Sequence, residues 1–161
     1  MVDQGSSADS MTYFYCTGFG KFGQILHNPT SKLIEALPAL LNTSNENNRS
    51  LKLKHHEIIT VAIQDCDEAI SRIYEMVCAS HGEADRHIII NFGVADGRPA
   101  FTLETLGKNC KIFSIPDERG NTPVNEAIDT EQELTHKRYS SLKLTETCEV
   151  LKSKGHNVEC G

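Results

Sequence analysis

The sequence lacks the features that mark several large classes of protein. Its 161 residues contain no run of basic side chains and carry a formal net charge of -6, which argues against nucleic-acid binding. No stretch approaches the ~18 consecutive apolar residues of a membrane span, and the first ten residues lack the basic and apolar parts of a signal peptide. We therefore expect a cytoplasmic protein with no membrane partner and a disordered leader over residues 1–11.

Paired cysteines are missing as well. The six cysteines, at positions 16, 66, 78, 110, 148 and 160, form no Cys-x-x-Cys pair and no spacing suited to zinc. Several lie in apolar runs, which favours inert core thiols and no disulfides. His55 and His56 are neighbours that would point to opposite faces of a strand, so a solvated pair is expected and not a metal site. We expect no metal and no cofactor.

What the sequence does contain fits one α/β domain. With 39% hydrophobic and 24% charged residues, the chain can bury one core and is too short for two comfortable ones. Strand-like segments at residues 12–17, 57–63 and 88–92 alternate with helical patterns, and a fourth apolar segment covers residues 110–115. Residues 88–92 are interpreted as a buried central strand with polar groups at its carboxyl end, where open α/β sheets bind ligands.

The first helix is predicted from its start signal. Asn28 is the expected N-cap and Pro29 the first helical residue. Pro38 is expected to kink the helix or to end its regular part. The polar, asparagine-rich residues 42–49 then indicate a surface loop.

Two further helices are predicted downstream. The second has Asp65 or Asp67 as its cap and Gly82 at its end. Its apolar face is expected to consist of Ile70, Ile73, Tyr74 and Val77. The third covers residues 142–154 and stops at Gly155.

Two loops stand out in the remaining chain. Residues 18–23 read Gly-Phe-Gly-Lys-Phe-Gly, and a glycine-rich loop of this kind can bring its backbone close to a ligand. It lacks the Lys-Ser/Thr ending of a phosphate loop, and composition alone favours core packing for Phe19 and Phe22. Residues 116–123 are typical of consecutive turns or a hairpin excursion.

The residues alone locate a site without naming its chemistry. Arg98 and Glu104 follow the strand at residues 88–92, although a glutamate in a loop is more often simply solvated. No nucleophile elbow and no paired carboxylates of defined geometry are present. These observations predict an α/β domain with a site after that strand.

Three motifs together resemble the pyroglutamyl peptidase I family of cysteine peptidases. They are Gly18-Phe19-Gly20-x-Phe22-Gly23 with Asn28-Pro29, then Gly93-x-Ala95-x-Gly97-Arg98 with Glu104 and Asn109, then Ile115-Pro116-Asp117 with Gly120-Asn121 and Pro123. They occur in the family's order and at compatible spacings, and the combination is specific. The resemblance implies a three-layer α/β/α sandwich of the phosphorylase/hydrolase-like fold, a cytosolic setting and frequent homo-oligomers.

The resemblance also implies an activity, which is removal of N-terminal pyroglutamate from peptides by a Cys-His-Glu triad. The family's catalytic glutamate falls on Glu104, where it would orient the histidine. The implied substrate-binding residues are two aromatics, a pocket asparagine, a residue whose backbone meets the lactam and an arginine beside the site: Phe19, Phe22, Asn28, Val94 and Arg98. Aromatic faces with backbone donors and acceptors suit a small lactam ring.

The sequence departs from the family pattern in its glycine-rich loops. Lys21, Gln24 and Asp96 stand where proline, glycine and glycine are usual. Asp96 would place a negative charge near a site that must hold a thiolate.

The larger departure concerns the nucleophile. The family's Ser-x-x-Ala-Gly-x-Tyr-x-Cys-Asn motif and its later histidine do not occur in these 161 residues, and Cys160 has none of that motif's flanking pattern. Residues 156–161 look like the opening of a strand, so we expect a chain truncated at its C-terminus and inactive alone. The alternative is a non-catalytic, pyroglutamyl-peptidase-like binding protein or pseudo-enzyme.

Overall fold

The computed structural model describes residues 10–45, 50–80, 85–95 and 97–161, and the chain divides into two compact units. Unit 1 comprises Met1–Val94 with Asp117–Arg119, and unit 2 comprises Ala95–Pro116 with Gly120–Gly161. Most of the expected leader, residues 1–9, lies outside the described residues, whereas Met11 is fixed because its N–H donates to Asp85 Oδ1 at 3.0 Å.

Unit 1 is a parallel α/β unit. Its sheet has the order β2-β1-β3, formed by β1 (Thr12–Phe19), β2 (Leu51–Ile59) and β3 (Arg86–Asn91). The crossovers are α1 (Pro29–Asn45) and α2 (Ile63–Ala79), since parallel neighbours need a long connection that a helix supplies. This arrangement confirms the α/β class.

The core of unit 1 is centred on β1. Tyr15 and Cys16 on this strand are buried, and they are accompanied by Ile34 of α1 and by Ala69 and Ile73 of α2. A strand with a neighbour on each side and helical crossovers has little access to water. The glycine-rich loop therefore begins directly at the most buried strand of the unit.

Two strand predictions need correction. The central strand is β1, and within the described residues β3 pairs with β1 alone, so residues 88–92 are not the buried centre of this sheet. A β-branched run indicates a strand but not its place in a sheet. The second strand is residues 51–59 and not 57–63, because its alternating half-buried and exposed side chains include lysines and histidines that a search for apolar runs passes over.

Helix α1 begins as predicted and continues further. Pro38 lies inside the helix, so it does not end the regular part, and the helix runs to Asn45. Proline has a helical φ and removes only one backbone donor, while burial of Ile34 holds the helix in place. The predicted loop at residues 42–49 is thus wrong for residues 42–45, and residues 46–49 lie outside the described chain.

Helix α2 exists as predicted, but the prediction of its N-terminal cap is wrong. Its N-cap is Ala62, which makes no side-chain cap, and Asp65 lies within the first turn. Of the predicted apolar face, Ile73 is buried, whereas Ile70 and Tyr74 are exposed, so the contact stripe is narrower than the pattern suggests. Gly82, the predicted end, lies outside the described residues.

Unit 2 is built from short strand pairs and one helix. The parallel pair is β4 (Phe101–Leu103) with β9 (Val158–Cys160), and the antiparallel pairs are β5 (Leu106–Lys108) with β8 (Lys137–Tyr139) and β6 (Lys111–Ile112) with β7 (Val124–Glu126). The β6–β7 pair confirms the hairpin excursion that was predicted around residues 116–123. β9 confirms the strand expected after Gly155.

Helix α3 (Leu144–Ser153) ends in a Schellman motif. Gly155 has φ +86, its N–H donates to Lys152 O at 2.9 Å, and the His156 N–H donates to Leu151 O at 3.1 Å. This confirms Gly155 as the stop of the third helix.

The six cysteines are all free, but fewer are buried than expected. Cys16 and Cys148 are buried, while Cys78 and Cys160 are exposed, because their runs lie on partly solvated helix and strand faces. In the portion of the chain that the structure covers, no helix is both long and apolar enough to cross a membrane.

Candidate functional site

The glycine-rich loop after β1 is tied to the elements around it. The Phe19 N–H donates to Thr30 Oγ1 at 2.9 Å at the start of α1, and the Gly20 N–H donates to Ile59 O at 2.9 Å at the end of β2. Phe22 and Ile25 exchange backbone hydrogen bonds of 3.0 and 2.8 Å, which close a tight turn. Both aromatics of the loop are half-buried, so the core packing favoured by composition is not found.

Gly18 lets this loop approach the helix closely. A Cβ on Gly18 would lie 2.7 Å from Ile34 Cγ1 and 2.8 Å from the Thr30 carbonyl oxygen. Only glycine avoids both collisions, so the close packing of β1 on α1 depends on it.

Asn28 is buried and caps α1, as the sequence predicts. Its Oδ1 accepts hydrogen bonds from the Thr30 N–H at 3.0 Å and from the Thr30 hydroxyl at 2.8 Å. The Thr30 hydroxyl in turn accepts from the Phe19 N–H, so Asn28 and Phe19 are joined through one side chain. These two donors take both lone pairs of Oδ1, which leaves the amide Nδ2 as the donor that Asn28 can offer a ligand.

Val94 follows the neighbouring strand at the same sheet edge. The Phe92 N–H donates to Thr17 O at 2.8 Å, and the Thr17 hydroxyl donates to Asn91 Oδ1 at 2.7 Å, so β1 and β3 stay aligned to their ends. Val94 is 46% exposed. Unit 1 therefore places Phe19, Phe22, Asn28 and Val94 at or just beyond the carboxyl edge of its sheet.

Arg98 and Glu104 pair within unit 2. Arg98 Nη1 lies 2.9 Å from Glu104 Oε1, and both side chains are largely exposed. A surface ion pair of this kind adds little stability. The pair directs Oε1 of Glu104 toward Arg98.

Gly161 lies directly beside Glu104. The Gly161 N–H donates to Leu103 O at 3.0 Å and the Thr105 N–H donates to Gly161 O at 3.1 Å, which extends the β4–β9 pairing. A Cβ on Gly161 would lie 3.0 Å from Glu104 Oε2. The oxygen of Glu104 that Arg98 does not hold therefore lies next to the backbone that follows β9.

The segment Asp117–Arg119, here called the clip, lies in the turn region at residues 116–123, for which the sequence predicts no function. Asp117 is buried, and its Oδ2 accepts from the Ile63 N–H at 3.0 Å, so it caps α2 in place of Asp65 or Asp67. The Glu118 N–H donates to Val61 O at 2.9 Å. No local pattern reveals a cap supplied from so far along the chain.

The side chains of Arg119 and Glu118, the two residues that follow Asp117, make the other contacts of the clip. Arg119 binds Asp65 through two nitrogens, at 2.5 and 3.1 Å. This hydrogen-bonded guanidinium holds the pKa of Asp65 below its usual range, despite some opposing desolvation. Glu118 Oε1 accepts from the Gly23 N–H at 2.8 Å, which ties the clip to the glycine-rich loop.

Asn109 organises unit 2. Its side chain is buried. Its Nδ2 lies 2.8 to 3.2 Å from the carbonyl oxygens of Asp129, Gln132 and Glu133. Its Oδ1 accepts hydrogen bonds from the N–H groups of Ile128 and Asp129. An asparagine that gathers five backbone groups orders the loop ahead of β8. Its place in the family motif is thus explained by structure.

The two histidines lie on opposite faces of β2, as expected of strand neighbours, but the expectation that both are solvated is wrong for His55. His55 is half-buried with Nε2 3.1 Å from Glu57 Oε1, and His56 is exposed on the opposite face. Burial would raise the pKa of Glu57, but Arg72 and His55 together lower it. Among the described residues, no three histidine, cysteine, aspartate or glutamate side chains are grouped so that they could hold a metal ion.

Solved structures share this fold. A pyrrolidone carboxyl peptidase from Fervidobacterium islandicum AW-1 superposes with a TM-score of 0.75 at 20% identity, covering 94% of this chain and 65% of that chain. Pyroglutamyl peptidase I from Bacillus amyloliquefaciens gives a TM-score of 0.71 at 23% identity, covering 94% and 66%. These likenesses confirm the expected α/β fold class.

Sequence relatives agree with the structures. A pyrrolidone-carboxylate peptidase from Staphylococcus haemolyticus is 31% identical over 139 residues, and one from Thermosipho africanus is 28% identical over 137 residues. These alignments cover 86% and 85% of this chain, but the chain spans only 58% of the length of either relative. The family model described as pyroglutamyl peptidase matches residues 13–158. The chain therefore belongs to the pyroglutamyl peptidase family.

Proposed function

We propose that this chain supplies the substrate-binding part and one triad residue of a cysteine exopeptidase that removes N-terminal pyroglutamate from peptides. The observation that carries the proposal is the linkage of Phe19 to Asn28 through Thr30 at the carboxyl edge of the unit 1 sheet. A half-buried aromatic beside a buried amide suits a ligand that is apolar on its faces and polar on its edge.

The pyroglutamyl ring would be recognised by four residues of unit 1. Phe19 and Phe22 pack on its faces, which are apolar. The Asn28 amide Nδ2 donates to a ring or peptide carbonyl, since its Oδ1 is occupied by Thr30. The backbone of Val94, a residue that is 46% exposed, pairs with the lactam edge. A prolyl ring lacks the lactam carbonyl, so a site built on that hydrogen bond rejects it.

Glu104 is the proposed third member of the triad. Arg98 holds its Oε1, and its Oε2 beside Gly161 is the oxygen that would accept the imidazole N–H. A carboxylate in this role orients the histidine and stabilises the imidazolium without attacking the substrate. Arg98 is thus a positioning residue for Glu104.

The remaining chemistry belongs to residues that this chain does not contain. In a longer form that carried the family's nucleophile and histidine, the thiolate would attack the carbonyl that follows the pyroglutamyl ring, and the histidine would take the thiol proton and return it to the leaving amine. Hydrolysis of the acyl-enzyme then releases pyroglutamate. We accordingly propose that the 161-residue chain is inactive alone.

The six free thiols suit a reducing compartment, which supports the cytosol as the location of the protein. The family resemblance supports homo-oligomers.

Turnover of a pyroglutamyl-aminocoumarin substrate tests this proposal. Intact mass is measured first, because a protein of 17.8 kDa should be inactive and a longer form carrying the nucleophile should be active. In the active form Glu104→Gln should lower kcat by about 100-fold or more, since a neutral amide stabilises imidazolium poorly. Glu126→Gln, an exposed position on β7, is the matched control.

Two results would contradict the proposal. Unchanged turnover in Glu104→Gln would remove this residue from the triad. Turnover by the 17.8 kDa chain that Cys160→Ala abolishes would mean that the chain carries its own nucleophile.

The second candidate function is a non-catalytic pyroglutamyl-binding protein. It is favoured by the lack of the nucleophile motif in these residues and by Asp96 in the family's glycine position. A longer native form that binds pyroglutamyl peptides with the expected selectivity but releases no coumarin would establish it.

A further inference from the structure

We propose that Glu118 is a positioning residue for substrate recognition: by holding the Gly23 N–H, it fixes the turn that presents Phe22 to the pyroglutamyl ring. This inference rests on the proposed function. It adds a residue from the clip, which lies 95 positions along the chain from Gly23, to the pocket's specificity.

The turn needs an outside support because little of it is buried. Gly23 has φ +52 and is exposed, and the next residues, Gln24, Ile25 and Leu26, are exposed as well. Its internal hydrogen bonds join Phe22 to Ile25 and fix its shape but not its position on unit 1. The hydrogen bond from the Gly23 N–H to Glu118 Oε1 holds the tip of the turn in place against the rest of unit 1.

Glu118 can act as a support because its own backbone is held on both sides. Asp117 is anchored to Ile63 on one side, and Arg119 is anchored to Asp65 on the other. The Glu118 N–H itself donates to Val61 O. The backbone of Glu118 is therefore fixed at the start of α2, and only the torsions of its side chain remain to be ordered.

The chemistry of the contact sets the expected size of the effect. A charged acceptor on a backbone N–H makes a stronger bond than a neutral one, and a glutamine still offers a carbonyl oxygen at nearly the same place. An alanine at position 118 leaves the turn without this hydrogen bond. The turn must then be ordered when the ligand binds, and the entropic cost of ordering it weakens binding. Glu118 makes no contact with the substrate itself in this proposal.

The test uses the 161-residue chain and two readouts. Affinity for L-pyroglutamyl-alanine is measured by NMR titration, and the exchange rate of the Gly23 amide proton is measured in the free protein. Glu118→Ala should speed Gly23 exchange and weaken binding, each by about fivefold, the equivalent of one net hydrogen bond. Glu118→Gln should restore most of both, and Glu126→Ala should change neither. The thermal midpoint should stay within a few degrees in every variant.

Three outcomes would overturn the inference. Unchanged Gly23 exchange in Glu118→Ala would mean that the carboxylate does not hold the turn. Faster exchange with unchanged affinity would mean that the turn does not matter to the ligand. A wild-type chain that binds no L-pyroglutamyl-alanine contradicts the proposed function itself and removes this inference with it, and that titration is complete before any variant is compared.

Discussion

The carboxylate of Asp117 accepts a hydrogen bond from the backbone N–H of Ile63, which lies 54 residues earlier in the chain, at 3.0 Å. The N-cap of α2, Ala62, has no side chain that could do so. A helix that begins at the carboxyl edge of the unit 1 sheet is thus held by a residue from a distant hairpin loop. The family's Ile-Pro-Asp motif acquires a structural role from this contact.

Replacement of Asp117 should destabilise unit 1. Asp117→Ala removes the cap of α2 and should lower the free energy of unfolding by about 1–2 kcal/mol. Asp117→Asn keeps an acceptor oxygen and should recover much of that loss. Urea unfolding measures both. Equal losses in the two variants would show that the charge and not the cap is what matters.

The Asp65–Arg119 pair should make stability depend on pH in the acid range. Arg119 lowers the pKa of Asp65 from its ordinary value of 3.8, so the folded state favours the charged form. The pair therefore contributes its whole stabilisation at pH values well above 4. This contribution is lost as the pH falls through 3.8 toward the lower pKa of Asp65 in the folded protein. Double-mutant cycles with Asp65→Asn and Arg119→Met, by urea unfolding at pH 6 and pH 2.5, should give a larger coupling free energy at pH 6 than at pH 2.5. Equal coupling at both values would refute this.

Gly18 should tolerate no side chain. Gly18→Ala drives a Cβ against Ile34 and the Thr30 carbonyl, so it should lower the free energy of unfolding by about 1–3 kcal/mol. Gly20→Ala is the matched control, because a Cβ there would lie 3.7 Å from its nearest neighbours, an ordinary contact. A control as unstable as Gly18→Ala would mean that loop flexibility, and not the close approach, explains the loss.

Asn109 should be the most sensitive asparagine of unit 2. Asn109→Ala removes one partner from several part-buried backbone groups and should cost more than about 2 kcal/mol. Asn109→Asp should cost as much, since a carboxylate cannot donate to the carbonyls of Asp129, Gln132 and Glu133. Asn157→Ala, which removes one exposed bond to Pro99, should cost far less. Comparable losses at positions 109 and 157 would contradict the organising role.

Local signals predicted the parts of the fold that depend on local geometry. The cap at Asn28, the strand from Thr12 and the stop at Gly155 each arise from residues within a few positions of one another. The failures came from partners far apart in the chain. The sheet order put β1 at the centre, and Asp117 capped α2 from outside. Such contacts leave no periodic pattern in the sequence.

The candidate site divides in the same way. Residues and spacing pointed to the region after the strand at residues 88–92, and Arg98 and Glu104 do pair there. The roles of Phe19, Phe22, Asn28 and Val94 came from the resemblance, because an aromatic in a loop and a helix cap have many other uses. The support of the Phe22 turn by Glu118 required the structure, since it depends on one long-range hydrogen bond.

Selective binding of the pyroglutamyl ring is the central claim, and a paired titration tests it most directly. The 161-residue chain is titrated with two dipeptides, pyroglutamyl-alanine and prolyl-alanine, which differ in the lactam carbonyl and therefore in the ring nitrogen, a neutral amide in the first and a protonated amine in the second at neutral pH. We predict that pyroglutamyl-alanine binds at least about tenfold more tightly, because only its ring offers the lactam carbonyl, and that Phe22→Ala weakens its binding by removing packing on the ring faces. Equal affinity for the two dipeptides, or binding of neither, would contradict it.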